Sequence, residues 1–503
     1  MPKSFFLYAL GFLTVFLSCQ EREEATLPNI IILYADDLGY GDLSSYGATE
    51  IRTPNIDKIA NSGIRFTHGY ATSATCTPSR YALLTGIYPW RNAQAQVLPG
   101  NAPLIIDSAM VTLPDQMKRA GYQTAVIGKW HLGLGGTNMN WNEKIVPGPN
   151  DLGFDYSFIL ASTNDRSPTV YVENDHVAGL SLSDPLEVNY RENFEGEPTG
   201  KNNPELLKLM PSHGHDMSIN NGISRIGYMR GGKSAMWVDE NMGDTLLNKS
   251  LQFISENRKK AFFLFYSFPQ IHVPRTPHPR FVGKSGLGAR GDVILEMDDA
   301  VGKVLDLLKQ LGIDKNTLVI FSSDNGPVLD DGYQDEAVSL NGDHTPSGIL
   351  RGGKYSLFDA GTRVPFMVRW PGTIEPGVSD ALISQVDLYA SLSQLIDMPY
   401  GFVDSQGLVE VIRGNNNLGR EGLILEGQRK LLYRDREYVM IPPYPGPEII
   451  PWGPIIETGN SEEYQLYNLK TDPGQKRNLV KEMPEKLDEM IRLMEAERNS
   501  SSN

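Results

Sequence analysis

The chain has 503 residues, 40% of them hydrophobic and 21% charged, and its 46 basic against 61 acidic side chains give a net charge of −15. That balance excludes a mainly disordered or collagen-like chain and allows a large buried core; the acidic surface argues against any nucleic-acid partner. Only two cysteines occur, Cys19 and Cys76, which excludes a disulfide framework.

The first residues read as an address. Lys3 precedes an apolar run over 5–17, shorter than the ~20 residues that span a bilayer, so residues 1–18 are expected to be a secretory signal. Ser18 directly before Cys19 resembles the cleavage box of bacterial lipoproteins. It implies lipidation of Cys19, a charged tether over 19–28, and an exported protein anchored by lipid to the cell membrane or outer membrane, facing the periplasm or the surface. An ordinary cleaved signal with an incidental cysteine is the alternative.

Beyond the tether, residues 29–34 form an unbroken apolar run that ends at Asp36 and Asp37. Similar runs at 124–127, 261–268, 318–323 and 364–370 read as strands buried on both faces. Helical patterns lie between them at 113–120, 243–256 and 292–311. Alternating strands and helices predict an α/β fold, a large and mostly parallel sheet flanked by helices. Ligands then gather beyond the carboxyl ends of the strands. Residues 132–240, rich in Gly, Asn, Pro and Ser, read as long loops. Past residue 400 come short antiparallel strands at 423–426, 431–439 and 464–469, then a helix from Pro484 to about Glu497. The division expected is a catalytic domain over 29–400 and a smaller C-terminal subdomain over 401–503.

Several side chains carry chemistry. Thr77 and Pro78 suit the N-cap and first position of a helix through Leu84. That puts Cys76 at a helix start with Arg80 one turn on. A thiol beside a cation and a helix N-terminus is a nucleophile candidate; a buried structural cysteine is the equal alternative. Asp36 and Asp37 after one strand, with Asp324 and Asn325 after another, offer four oxygen side chains suited to Ca²⁺, with Mg²⁺ second. Lys129 and His131, two apart on an extended segment, point the same way and suit an anionic ester, with Trp130 turned to the core. Lys354 follows Gly352 and Gly353, which let the backbone approach a ligand. His272 follows the strand at 261–268.

These residues fall in ordered motifs: Cys76-Thr-Pro-Ser-Arg80 with Leu84-Thr-Gly86; Gly121-Tyr-x-Thr124 through Gly128-Lys129-x-His131; Ser323-Asp-Asn-Gly326; and Arg351-Gly-Gly-Lys354 with Thr362-Arg-Val-Pro365. Together with 29–41 they resemble the signatures of the type I, formylglycine-dependent sulfatases, arylsulfatase-like, over roughly residues 29–479. The resemblance implies an alkaline-phosphatase-like fold and hydrolysis of sulfate esters. It implies that a formylglycine-generating enzyme oxidises Cys76 to formylglycine (3-oxoalanine). It also implies a calcium ion held by Asp36, Asp37, the modified Cys76, Asp324 and Asn325. The implied catalytic set is Cys76, Arg80, Lys129, His131, His272 and Lys354. A hydroxyl of the hydrated aldehyde attacks sulfur with Asp324 assisting, Arg80 steadies the diol, and Lys129 and Lys354 offset charge. His272 or Lys354 protonates the leaving alcohol, and His131 deprotonates the second hydroxyl.

For an exported sulfatase the expected substrate is a sulfated polysaccharide or its oligosaccharides, with Arg225, Arg230, Lys233, His213, His215, Asp343 and His344 as candidates for a sugar subsite. A phosphonate or phosphate monoester hydrolase of the same fold and a non-catalytic glycan-binding lipoprotein are the alternatives.

Overall fold

The computed structural model of the protein describes residues 1, 27–401 and 404–500. The signal, Cys19 and the tether up to 26 lie outside the described residues. Among the described residues no helix is long and apolar enough to cross a membrane.

The strands in chain order are β1 (Asn29–Ala35), β2 (Ile64–Tyr70), β3 (Gln123–Lys129), β4 (Tyr156–Leu160), β5 (Tyr171–Glu173), β6 (His176–Val177), β7 (Glu187–Asn189), β8 (Ile219–Asn220) and β9 (Ile223–Ser224). There follow β10 (Tyr228–Arg230), β11 (Phe262–Ser267), β12 (Thr317–Ser323), β13 (Phe366–Arg369), β14 (Gly377–Ser384), β15 (Gly422–Gly427), β16 (Lys430–Asp435), β17 (Tyr438–Ile441) and β18 (Gln465–Asn468). The helices are α1 (Pro54–Asn61), α2 (Cys76–Thr85), α3 (Leu113–Arg119), α4 (Met242–Asn257), α5 (Gly288–Gln310), α6 (Asp387–Leu395), α7 (Val409–Ile412) and α8 (Pro484–Asn499).

Ten strands form one sheet in the order β14-β2-β13-β12-β1-β11-β3-β4-β5-β6. Its centre, β12-β1-β11-β3-β4, is parallel throughout. β1 shows why these runs carry no polar face. Ile30, Ile32 and Tyr34 enter one core and Ile31, Leu33 and Ala35 the other, all at 0% exposure. Leu83 and Leu84 of α2, Met117 of α3 and Leu392 of α6 fill the first core. Ile56 of α1, Leu246 of α4 and Val301 and Leu308 of α5 fill the second. The expected α/β architecture is therefore present.

Three details differ from expectation. The 364–370 run shortens to β13, which runs antiparallel to β12 and β2, so the sheet is mixed on that side. β4 lies inside the stretch read as loops and extends the parallel core; apolar Phe158, Ile159 and Leu160 carried that signal. The 431–439 run splits into β16 and β17, because the Asp435 carboxylate accepts from the backbone N–H of Glu437 and Tyr438 (2.8 and 2.7 Å) and turns the chain.

β15 to β18 make a four-stranded antiparallel sheet with its own core, closed by Met490 and Met494 of α8. Its edge reaches into the larger unit. Ala74 N donates to Glu426 O (2.7 Å) and Glu426 N to Thr72 O (3.0 Å), so β15 is stitched to the loop that leads into α2.

Candidate active site

Beyond the carboxyl ends of β1, β3, β11 and β12 lies a cavity of about 270 Å³, lined by Cys76 at the start of α2 and by His131, His272 and Lys354, with the strand-end carboxylates packed behind them. The helix begins two residues earlier than expected. Thr75 is extended (φ −149°, ψ 153°) and precedes it. Thr77, expected as the N-cap, is already helical and donates to the His131 carbonyl (2.8 Å). The Ser79 hydroxyl bonds the backbone N–H and C=O of Ser73 (3.1 and 2.9 Å), which winds the chain into the helix before Pro78. Cys76 is thus the first helical residue, 2% exposed, with Sγ 3.7 Å from Asp36 Oδ1. Burial and the Asp324 charge push its thiol far above the usual range. The dipole of the helix start does not make it a thiolate.

Asp36, Asp37, Asp324 and Asn325 are all at 0% exposure. Ligand atoms of Asp36, Asp37, Cys76 and Asp324 lie within 4.8 Å of one another. A left-handed turn at Asp37 (φ 61°) lets successive carboxylates face the same point. Asn325 Nδ2 donates to Asp37 Oδ1 (2.8 Å), while its Oδ1 is buried with no partner among the described residues. Four carboxylates, with Asp331 included, face three cations, Arg80, Lys129 and Lys354. With all four ionised one negative charge is in excess, and burial with the neighbouring Asp324 charge pushes the Asp36 carboxyl well above its usual range, a cost that a cation among these oxygens would remove. The donors are hard oxygens and one amide oxygen lacks a donor, so the set fits a hard divalent cation.

The cations hold this arrangement. Arg80 Nε and Nη2 grip Asp324 Oδ2 (3.0 and 2.7 Å), and its Nη1 reaches the Lys129 carbonyl and Ser267 Oγ (3.2 and 2.5 Å). These contacts make Arg80 a positioning residue for Asp324; none of them is to Cys76. Burial raises Asp324, but Arg80 and Lys129 outweigh it and bring the carboxyl down to about 2, which keeps it ionised. Lys129 Nζ sits 2.5 Å from Asp36 Oδ2 and 3.7 Å from Asp324 Oδ2. Lys354 Nζ bridges Asp37 Oδ2 (2.9 Å) and Asp331 Oδ2 (2.7 Å). The glycines before Lys354 serve the protein and not a ligand: a Cβ on Gly353 would stand 2.6 Å from the Pro327 carbonyl, which accepts from Lys354 N.

Two histidines complete the inner wall. His131 does not continue the strand; it is left-handed (φ 57°), and this turn, not pleat alternation, brings its ring beside Lys129. Its Nε2–H donates to the Leu98 carbonyl (3.0 Å), which leaves Nδ1 a buried lone pair without a partner. Burial and Lys129 keep the ring neutral. Trp130 between them is core, as expected. His272 donates Nδ1–H to the Val273 carbonyl (2.8 Å), and its Nε2 lies 3.9 Å from Asp37 Oδ2; burial and Lys354 push it well below the usual histidine range.

The outer wall was only partly foreseen. His213 and His215 line the cavity. His215 donates Nδ1–H to the His213 carbonyl (2.8 Å) and Nε2–H to Asp165 Oδ2 (2.9 Å). Two acceptors demand two protons; burial opposes that charge, but Asp165 outweighs it and the imidazolium is favoured. Arg225 is buried against Asp239, Arg230 and Lys233 are exposed away from the cavity, and His344 is spent on Asp42 (2.8 Å). Asp343 is exposed and is no part of the wall. Asp165, Arg166, Asp331, Tyr355 and Trp452 are wall residues that sequence reasoning missed. Asp165 and Arg166 follow the carboxyl end of β4, so recognising that strand would have found them. Asp331, Tyr355 and Trp452 carry no such signal.

Comparison with known proteins agrees with this geometry. The family model described as Sulfatase matches residues 28–398. An N-acetylgalactosamine-6-O-sulfatase of Bacteroides thetaiotaomicron is 49% identical over 476 residues, 93% of each chain. Human arylsulfatase H is 32% identical over 77% of this chain and 72% of that protein. A structure solved in work on the metabolism of multiple glycosaminoglycans by Bacteroides thetaiotaomicron superposes with a TM-score of 0.92 at 49% identity, over 94% of this chain and 99% of the other.

Proposed function

The chain belongs to the sulfatase family and hydrolyses sulfate esters, and from that premise we propose that its substrate is a sulfated glycan bearing N-acetylgalactosamine 6-sulfate. The relative that is 49% identical carries that activity in its name. The reading extends to a formylglycine made from Cys76 by a maturation enzyme, and to calcium as the ion among Asp36, Asp37, residue 76, Asp324 and Asn325. The carrying observation is the state of Cys76. It stands where a nucleophile must stand, yet its thiol is buried and pushed far from ionising, so an unmodified thiol is ill suited to the work.

As the hydrated aldehyde, position 76 supplies one hydroxyl to attack sulfur and a second to expel the sulfate. Bound calcium supplies charge to orient and polarise the sulfate oxygens. Lys129 and Lys354, fixed by their carboxylates, face the charge that develops at sulfur. Arg80 keeps Asp324 aimed and ionised. The His131 Nδ1 lone pair is the group placed to take a proton from the second hydroxyl. Lys354 stays protonated and His272 neutral, which favours Lys354 as the donor to the leaving alcohol and leaves His272 to orient it. We further propose export as a lipoprotein through Cys19.

The test is sulfate release, read by ion chromatography, from N-acetylgalactosamine 6-sulfate, its 4-sulfate isomer and an aryl phosphate. Release from the 6-sulfate above the other two is expected. Faster turnover of the phosphate would favour a monoester hydrolase of the same fold, and binding without release would favour a non-catalytic glycan binder.

A further inference from the structure

The cavity, at about 270 Å³, is at the small end of ligand sites. One sulfated sugar fills it, so the rest of a glycan must leave through the mouth. Trp452 stands at that mouth. It lines the same cavity as Cys76 and yet is 45% exposed. A tryptophan this exposed beside a polar pocket is not core, and its partly wet ring is free to take a ligand.

The ring is held in place without being covered. Its edge packs on Tyr355, with centroids 5.4 Å apart and planes at 79°. Tyr355 is itself fixed, in the left-handed region (φ 74°), by donating its hydroxyl to Asp331 Oδ1 (3.0 Å), the carboxylate that also holds Lys354. On the other side, Gly453 lies against His213 so closely that a Cβ would meet the imidazole at 2.2 Å. Pro454 follows and stiffens the chain. Binding therefore orders little that is not already ordered. The loop lies outside the span 28–398 that the family model matches, so this contact is supplied by the C-terminal part of the chain.

We infer that Trp452 is a stacking platform for the sugar next to the sulfated one, and that it sets a preference for oligosaccharides over the free sulfated monosaccharide. The inference rests on the sulfated-glycan reading. The apolar face of a pyranose lies on the ring, and the indole N–H donates to a hydroxyl at its rim.

Three substrates test it: N-acetylgalactosamine 6-sulfate, and the same sugar extended by one further sugar at either end. The parent should favour at least one disaccharide. Trp452→Ala should lower the ratio of disaccharide to monosaccharide kcat/KM by about tenfold, with the loss in KM and not in kcat, and Trp452→Phe should restore most of it. Equal losses on all three substrates, or a parent that gains nothing from the second sugar, would overturn the platform. A parent that releases sulfate from none of the three would count against the sulfated-glycan reading instead.

Discussion

The cavity floor and the cavity wall are built differently. Asp36, Asp37, Lys129, Asp324 and Asn325 end or directly follow strands of the parallel core, Cys76 starts α2, and each is at most 2% exposed. Arg166, His213, Tyr355 and Trp452 stand on loops, and each keeps some contact with solvent. On the floor every charge has a buried partner, and removing one partner strands the other at a cost of about 3–5 kcal/mol. The wall pays less for change. The floor therefore fixes which bond is broken, and the wall fixes which molecule carries that bond.

Four experiments break or sharpen that contrast. The largest effect belongs to Cys76→Ala, which should lower turnover by about four orders of magnitude or more with KM barely defined. Unmodified protein should be as poor, and mass spectrometry of the peptide holding Thr75 to Arg80 should find the aldehyde only in active batches. Full turnover with an intact thiol would remove the floor from the chemistry. Exhaustive chelation comes next. Turnover should fall by about two to three orders of magnitude, the melting temperature should fall with it, and calcium should restore both better than magnesium. A chelated protein that melts and turns over as before would leave the carboxylate cluster without its ion.

The third concerns a buried carboxyl that lacks the floor's cations. Glu296 of α5 packs on Gln270 and Gly243, its Oε1 has no hydrogen-bond partner among the described residues, and burial outweighs the Gln270 contact and raises it from 4.5 to about 7. Its folded value is the higher one. Its contribution to stability is therefore full below about pH 4.5 and is lost as pH rises through about 7. Glu296→Gln should flatten that decline and exceed the parent at pH 8 by about 3 kcal/mol at most, read from urea melts at pH 5 and 8. Parallel curves would show that the carboxyl is already paired. The smallest effect is expected on the wall. His213→Ala, at a half-buried wall ring with no buried charge partner, should raise KM about tenfold with kcat kept. A large loss of kcat would mean that the wall also takes part in the reaction.

The same contrast explains what the amino-acid sequence revealed. β1, β3 and β12 are apolar runs that stop at a polar pair or cluster, and β11 is one that stops before Pro269, so the centre of the sheet and the strand-end part of the floor could be read along the chain. Asp36, Lys129 and Asp324 could be placed together because parallel strands end together, and Cys76 joined them through the motif resemblance alone. The wall had no such rule. His215 meets Asp165 across 50 residues, and Trp452 meets Tyr355 across two subdomains. Such pairings depend on loop paths that no periodicity records. Local geometry also escaped: nothing in Gly128-Lys129-Trp130-His131 announces that His131 turns left-handed, and the Ser79-to-Ser73 bond that starts α2 at Cys76 is a tertiary fact.

The stitching of β15 to the loop before Cys76 has a consequence in time. Thr72 and Ala74 are bonded to Glu426, a residue made some 350 positions later, and two residues past Ala74 the Cys76 side chain is only 2% exposed. An enzyme that has to read the stretch from Cys76 to Arg80 as a flexible peptide finds it so only while the C-terminal strands are still unmade or undocked. The proposed maturation of Cys76 thus has a deadline set by chain synthesis. On that proposal, a chain that folds to completion first keeps its thiol and stays, correctly folded, without turnover.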